Sequence, residues 1–200
     1  DKADLRMVTE IHNVLDHSTP VLNVGLGWTV GDQANLSDIV VGFDPTADVS
    51  FTFWTNGNCS EQGVAAGDAS VVNGVAHPSD EKGPLTAGPY SFQAHYPGDD
   101  NYNEVTADCE PLTVNQSTSA ITTELHSSDD PVTPLAVGGS IEAGATIHDS
   151  AEVTANGDFN PTGNVRFRFY TNGVCEGVFT PKGSVAMTNA NPAIAHPSLP

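Results

Sequence analysis

Apolar and polar residues alternate with a period of two along much of the chain. In DVSFTFW, residues 48–54, Val49, Phe51 and Phe53 fall on one face and Ser50, Thr52 and Trp54 on the other. In NVRFRFY, residues 164–170, Val165, Phe167 and Phe169 repeat the apolar face. PYSFQAHY, residues 89–96, alternates again, with Tyr90, Phe92, Ala94 and Tyr96 predicted inward and Ser91, Gln93 and His95 outward. Each of the first two stretches runs into Asn-Gly, at 56–57 and 172–173, which predicts a tight hairpin because both residues accept a positive φ. No segment has a helical period of 3.6. Short strands separated by Gly and Pro predict an all-β protein of two-sheet sandwiches.

The pattern is written twice. TEIH at 9–12 returns as TELH at 123–126, FDPTADV at 43–49 as FNPTGNV at 159–165, and AHPS at 76–79 as AHPS at 195–198. The offset grows from 114 to 116 to 119 residues, as expected when loops take small insertions while strands keep register. These matches predict a tandem duplication with domains at 1–116 and 117–200, joined by the polar connector NQSTSA at 115–120. By the last offset Pro200 corresponds to Glu81, so the second domain is expected to lack the counterpart of residues 82–114, its closing strands. Such a sandwich exposes apolar faces and strand edges, to be covered by a continuation of the chain or by strands of another chain, for which ADLRMVTEIH is one candidate donor.

GDQANLSDIVV, ADVSFTFWTNGNC, LTAGPYSFQAHYPGDDNY and CEPLTV, in that order, resemble the bacterial Ig-like repeats found in tandem in large surface proteins. The resemblance covers the first unit and the front of the second. It implies tandem immunoglobulin-like β-sandwiches and a structural role in a stalk, adhesin shaft or extracellular filament, outside the cell or on its surface. Its partners would be neighbouring Ig-like repeats or identical subunits, with a surface glycan or protein as a further ligand. The alternative is a carbohydrate-binding accessory module of an extracellular enzyme.

The three cysteines fit this setting. Cys59 follows the first Asn-Gly and Cys109 opens CEPLTV, so the two are candidates for a disulfide, the alternative being two buried thiols. Cys175 matches Cys59, and its expected partner lies in the missing strands.

Charge narrows the partners. Six Lys and Arg against 25 Asp and Glu give a net charge of -19, which repels nucleic acid. No run of apolar residues is long enough to span a membrane as a helix. No cofactor is expected, calcium excepted. Asp99, Asp100 and Glu104 in PGDDNYNE, and Asp129 and Asp130 in SSDDP, are weak calcium candidates. In the first group the structural reading is preferred, with Asp99 bonding turn amides and Tyr96 or Tyr102 packing the corner. His12 and His126 recur at matched positions, as do His77 and His196, but without the spacing of a metal motif, while His17, His95 and His148 read as solvated surface residues. Trp54 and its counterpart Tyr170 on the outer face, with Arg166 and Arg168 beside each other on theirs, form a candidate contact surface. No nucleophile elbow, zinc-binding helix or phosphate loop is present, so no enzymatic activity is expected.

Overall fold

The computed structural model describes residues 1–157 and 159–197, and among these it is all-β. The chain divides into two compact units, Asp1–Ser117 and Thr118–Pro200. In the first, the strands are β1 (Arg6–Asn13), β2 (Asp16–Pro20), β3 (Asn23–Val24), β4 (Val30–Ser37), β5 (Asp48–Trp54), β6 (Val64–Val72), β7 (Val75–Ala76), β8 (Gly88–Tyr96), β9 (Val105–Thr106) and β10 (Glu110–Val114). They form one curled sheet in the order β2-β1-β4-β7-β6-β5-β8-β10-β3, with β9 paired to β8. Strand β6 serves both halves: Ala65 pairs with Thr52 of β5, whereas Val71 and Val72 pair with β7. The curl brings β1 against β8, β9 and β10, so the two halves enclose a core.

Alternation fills that core. Val49, Phe51 and Phe53 are buried on β5, and Tyr90, Phe92, Ala94 and Tyr96 on β8. Phe53 pairs with Phe92 across the strands, its ring 4.9 Å from Phe92 and stacked on Tyr90 at 5.5 Å. Burying such a ring contributes on the order of 2 to 3 kcal/mol. Strand β1, from the N-terminal segment considered as a donor, pairs with β4 of its own unit along its whole length.

At the end of β8 the chain turns through Gly98, whose φ of 81° suits glycine; a Cβ there would stand 2.8 Å from the Tyr102 carbonyl oxygen. Asp99 closes this corner. Its carboxylate accepts hydrogen bonds from the Tyr96 hydroxyl (2.7 Å), the Thr46 amide and hydroxyl (2.9 and 3.1 Å) and the amides of Asn101 and Tyr102 (both 2.8 Å). The Tyr102 hydroxyl donates to Phe43 O and accepts from the Val40 amide.

In the second unit the strands are β11 (Ser119–Ser127), β12 (Asp130–Pro134), β13 (Ile147–Ala155), β14 (Asn164–Phe169), β15 (Thr180–Ala186) and β16 (Ala193–Ala195). One sheet runs β12-β11-β13-β16 and the other is the pair β14-β15. The register echoes unit 1. His12 pairs with Pro20 and His126 with Pro134. A bulge interrupts β5/β6 between Ser50 and Thr52, opposite Gly67, and β14/β15 between Arg166 and Arg168, opposite Gly183. Both glycines have positive φ, 79° and 91°, as such bulges require.

Burial differs between the units. Ile11 is fully buried, whereas its sequence counterpart Leu125 is 47% exposed. Phe53 is 6% exposed and Phe169, predicted to face inward, is 42% exposed. The physical reason is the neighbour on the next strand: Tyr90 and Phe92 of β8 cover Phe53, whereas among the described residues β14 pairs only with β15. The buried cluster of unit 2 is accordingly small, with Ala151, Phe167 and Ala195 joined by Val165, Val185 and Met187.

The Asn-Gly hairpins are not formed as predicted. Strand β5 reaches β6 through the loop 55–63, and the positive φ falls on Cys59 (50°) and Glu61 (63°). Asn56 uses its side chain to close the loop, its Nδ2 donating to Ser60 O, and its carbonyl accepts from the buried Ser91 hydroxyl, a residue predicted to face outward. In unit 2, Asn172 Nδ2 donates to Glu176 O in the same way and Cys175 has φ 53°. Side-chain bonding within the loop outcompetes the two-residue turn.

Candidate functional site

Cys59 and Cys109 form a disulfide, with their Cα atoms 5.8 Å apart, and Cys175 is an exposed free thiol. The bridge ties the 55–63 loop to the start of β10. It is consistent with an oxidising extracellular environment.

The loop also corrects the expected contact surface. Trp54 is not an outer-face platform; it is 9% exposed, and its indole N–H donates to Glu61 O at 3.4 Å. Gly63 lies so close to the ring that a Cβ would stand 2.5 Å from the indole Cε2 and 2.8 Å from Nε1. A sugar cannot stack on a face that the protein's own backbone occupies. Tyr170 is half-buried with its ring 5.8 Å from Phe179, and Arg168 places its guanidinium carbon 4.5 Å over the Phe179 ring. Arg166 is exposed. Arg168 is thus engaged within its own unit.

The acidic candidates divide. Burial would raise the Asp99 carboxyl, but the bonds from Tyr96, Thr46, Asn101 and Tyr102 outweigh it and hold the group well below the usual carboxylate range. Its oxygens are occupied by the corner. Asp100 and Glu104 are exposed beside it. Asp130 closes its own turn, accepting from the amides of Val132 and Thr133 at 3.2 and 3.1 Å, and Asp129 N bonds Ser127 Oγ. Among the described residues no group of three or more His, Cys, Asp or Glu is arranged, as it stands, to hold a metal ion.

Sequence reasoning missed a buried acid. Asp32 on β4 is fully buried opposite Ile11, its amide donating to Ser79 Oγ at 2.8 Å and its Oδ1 accepting from Gln33 N at 2.8 Å, while Oδ2 has no partner. Desolvation first, and the neighbouring Glu110 second, push its carboxyl up to about 8, so it is protonated at neutral pH. The unfolded group ionises near 3.8, so between that pH and about 8 the folded chain retains a proton that the unfolded chain has lost. Stability contributed by this group therefore falls as pH rises through that window. Asp32→Asn, which keeps the shape without the proton demand, should flatten the decline in melting temperature between pH 5 and pH 8. An unchanged pH profile would show that Asp32 is ionised in the fold. A sequence signal was there: Asp32 alternates in step with Val30, Ala34 and Leu36, on the apolar face of its strand.

Histidines gather in both units. His12 on β1 is 3% exposed with neither ring nitrogen hydrogen-bonded, and His126 on β11 is 6% exposed with Nδ1 unpartnered. In unit 1 His77 Nε2 lies 3.2 Å from His17 Nδ1, and in unit 2 His148 Nε2 lies 2.9 Å from His196 Nε2, both rings 5.4 Å from that of His126. His148 is buried, correcting its reading as a surface residue, because it pairs with His126 across β11/β13 and their rings stack at 5.4 Å. His95 bonds Thr106 Oγ1 and stands apart. Residues that are far apart in sequence are brought together by strand pairing, which no local spacing could reveal. Ser198 of the second AHPS lies outside the described residues.

No protein-family model, no curated protein and no solved structure matches the chain.

Proposed function

We propose that the chain is a structural segment of an extracellular or cell-surface protein, built from tandem immunoglobulin-like β-sandwiches, in which the open face of unit 2 receives two further strands. The observation that carries this is the groove between the two sheets of unit 2. It has a volume of about 420 Å³ and is lined by Leu125, Ile141, Phe167, Phe169 and Lys182, among others. In unit 1 the corresponding edge of β5 is paired with β8, with β10 beyond it in the same sheet. Strands of that kind, from a continuation of the same protein or from an identical subunit, would bury Leu125 and Phe169 and place a cysteine against Cys175. The role is mechanical: antiparallel sandwiches resist extension, and strand completion joins one bead to the next. It needs no catalytic group. The covered ring of Trp54 removes the feature that favoured a carbohydrate-binding module.

Peptide mapping of the native, unreduced assembly tests the proposal. Cys175 is expected in a disulfide with a cysteine outside these 200 residues. An alkylatable Cys175 thiol in the native assembly overturns the strand-completion joint.

A further inference from the structure

We propose that each unit carries a site for a divalent transition metal of the zinc class. The ligands are His17 and His77 in unit 1 and His148 and His196 in unit 2, with the buried His12 and His126 as third ligands. The inference is independent of the strand-completion reading.

Distances between the rings carry the argument. Three imidazoles bound tetrahedrally to zinc at about 2.0 Å place their nitrogens about 3.3 Å apart and their ring centroids about 5 Å apart. In unit 2 the centroids of His148 and His196 are 4.9 Å apart, and His126 is 5.4 Å from each. The facing nitrogens of His148 and His196, at 2.9 Å, need to part by only a few tenths of an ångström to admit an ion. In unit 1 the His17 and His77 centroids are 4.8 Å apart and their nitrogens 3.2 Å.

The third rings explain why the donors do not yet converge. His126 lies nearly parallel to His148, at 13°, so it shows that ring its face, and its Nε2 bonds Ser150 Oγ at 3.1 Å. Turning the ring would release this hydrogen bond and bring a nitrogen toward the pair. The buried Nδ1 of His126 and one ring nitrogen of His12 are the groups that gain, because a buried imidazole nitrogen without a hydrogen-bond partner is unfavourable; the other nitrogen of each ring keeps its proton, and His12 Nε2 lies 3.9 Å from Glu10 Oε2.

The two units draw their histidines from partly different strands, and the close approach in unit 1 is that of His17 and His77. His12 and His126 occupy matched strand positions, and His77 and His196 follow the matched short strands β7 and β16. The remaining imidazole is not matched. In unit 2 it is His148, opposite His126, whereas in unit 1 the residue opposite His12 is Gly31 and the ring comes from His17 on β2. A shared sandwich accounts for the matched histidines but not for a third one supplied from two different strands. A common ligand accounts for both.

The test is zinc titration of the metal-stripped chain by calorimetry, in a Cys175→Ser background and with excess calcium to occupy the carboxylates. One zinc ion per unit is expected, two per chain. His77→Ala and His196→Ala, both at exposed positions, should each remove one ion while far-UV circular dichroism stays unchanged. Ring-nitrogen NMR of histidine-labelled protein should show zinc-dependent shifts at His12, His17, His77, His126, His148 and His196, with His95 unmoved as the internal control. Absence of zinc binding, or stoichiometry unchanged in both variants, overturns the sites and leaves the rings as hydrogen-bonded pairs. Shifts confined to two rings per unit overturn the third ligands.

Discussion

Phe53→Ala is expected to destabilise unit 1 by about 4 kcal/mol, whereas Phe169→Ala at the matched position should cost less than about 1 kcal/mol in the isolated chain. The two phenylalanines occupy corresponding positions beside the same kind of bulge. Only their covering differs. Removing Phe53 empties a space walled by Tyr90 and Phe92, and the loss combines transfer free energy with a cavity that the paired strands cannot close. Removing Phe169 takes away a ring that is already half in water, losing mainly its contact with Lys182. Urea unfolding checks the contrast. Both tryptophans, Trp28 and Trp54, lie in unit 1, so their fluorescence follows that unit, while amide exchange in β14 follows the other. Equal costs at the two positions would mean that Phe169 is covered in solution. Repeating the pair in the native assembly extends the test: if strands complete unit 2, Phe169→Ala becomes as costly there as Phe53→Ala.

Loss of the Cys59–Cys109 bridge should be comparably severe and confined to unit 1. The bridge spans 50 residues, and closing a loop of that length restricts the unfolded chain by about 4 kcal/mol on a chain-entropy estimate. Native contacts add a local effect. The Cys59 amide donates to Ser91 Oγ at 3.1 Å, so the bridge holds the loop that roofs Trp54. A Cys59→Ser, Cys109→Ser variant should therefore show a lowered urea midpoint together with a red-shifted, more accessible Trp54 in the folded state. Iodide quenching of the native protein reads the second effect. A variant with the wild-type midpoint and wild-type quenching would show that the loop and the core stand without the cross-link.

Much of the fold was legible along the chain because it depends on near-neighbour rules. Period-2 alternation places Val49, Phe51 and Phe53 on one face whatever the strand is paired with, and the structure buries all three. The pairing of Cys59 with Cys109 follows from two cysteines in one unit. The Asp99 corner was visible too, since a Pro-Gly-Asp-Asp-Asn-Tyr turn supplies both the carboxylate and the amides it binds. Alternation failed where a loop folds back. It put Trp54 and Ser91 outside, and both are buried because residues 55–63 lie over that face.

Which buried and titratable groups meet was decided in three dimensions. The sequence determined which residues alternate, which segments repeat and which cysteines share a unit, because each of these is a property of spacing along one chain. It could not show that Asp32 loses all contact with water, that His148 stacks on His126, or that His17 reaches His77, because those depend on which strands lie side by side. The same local sequence even reaches opposite ends: Phe53 is buried and Phe169 exposed, since burial is set by the neighbouring strand and not by the residue's own alternation.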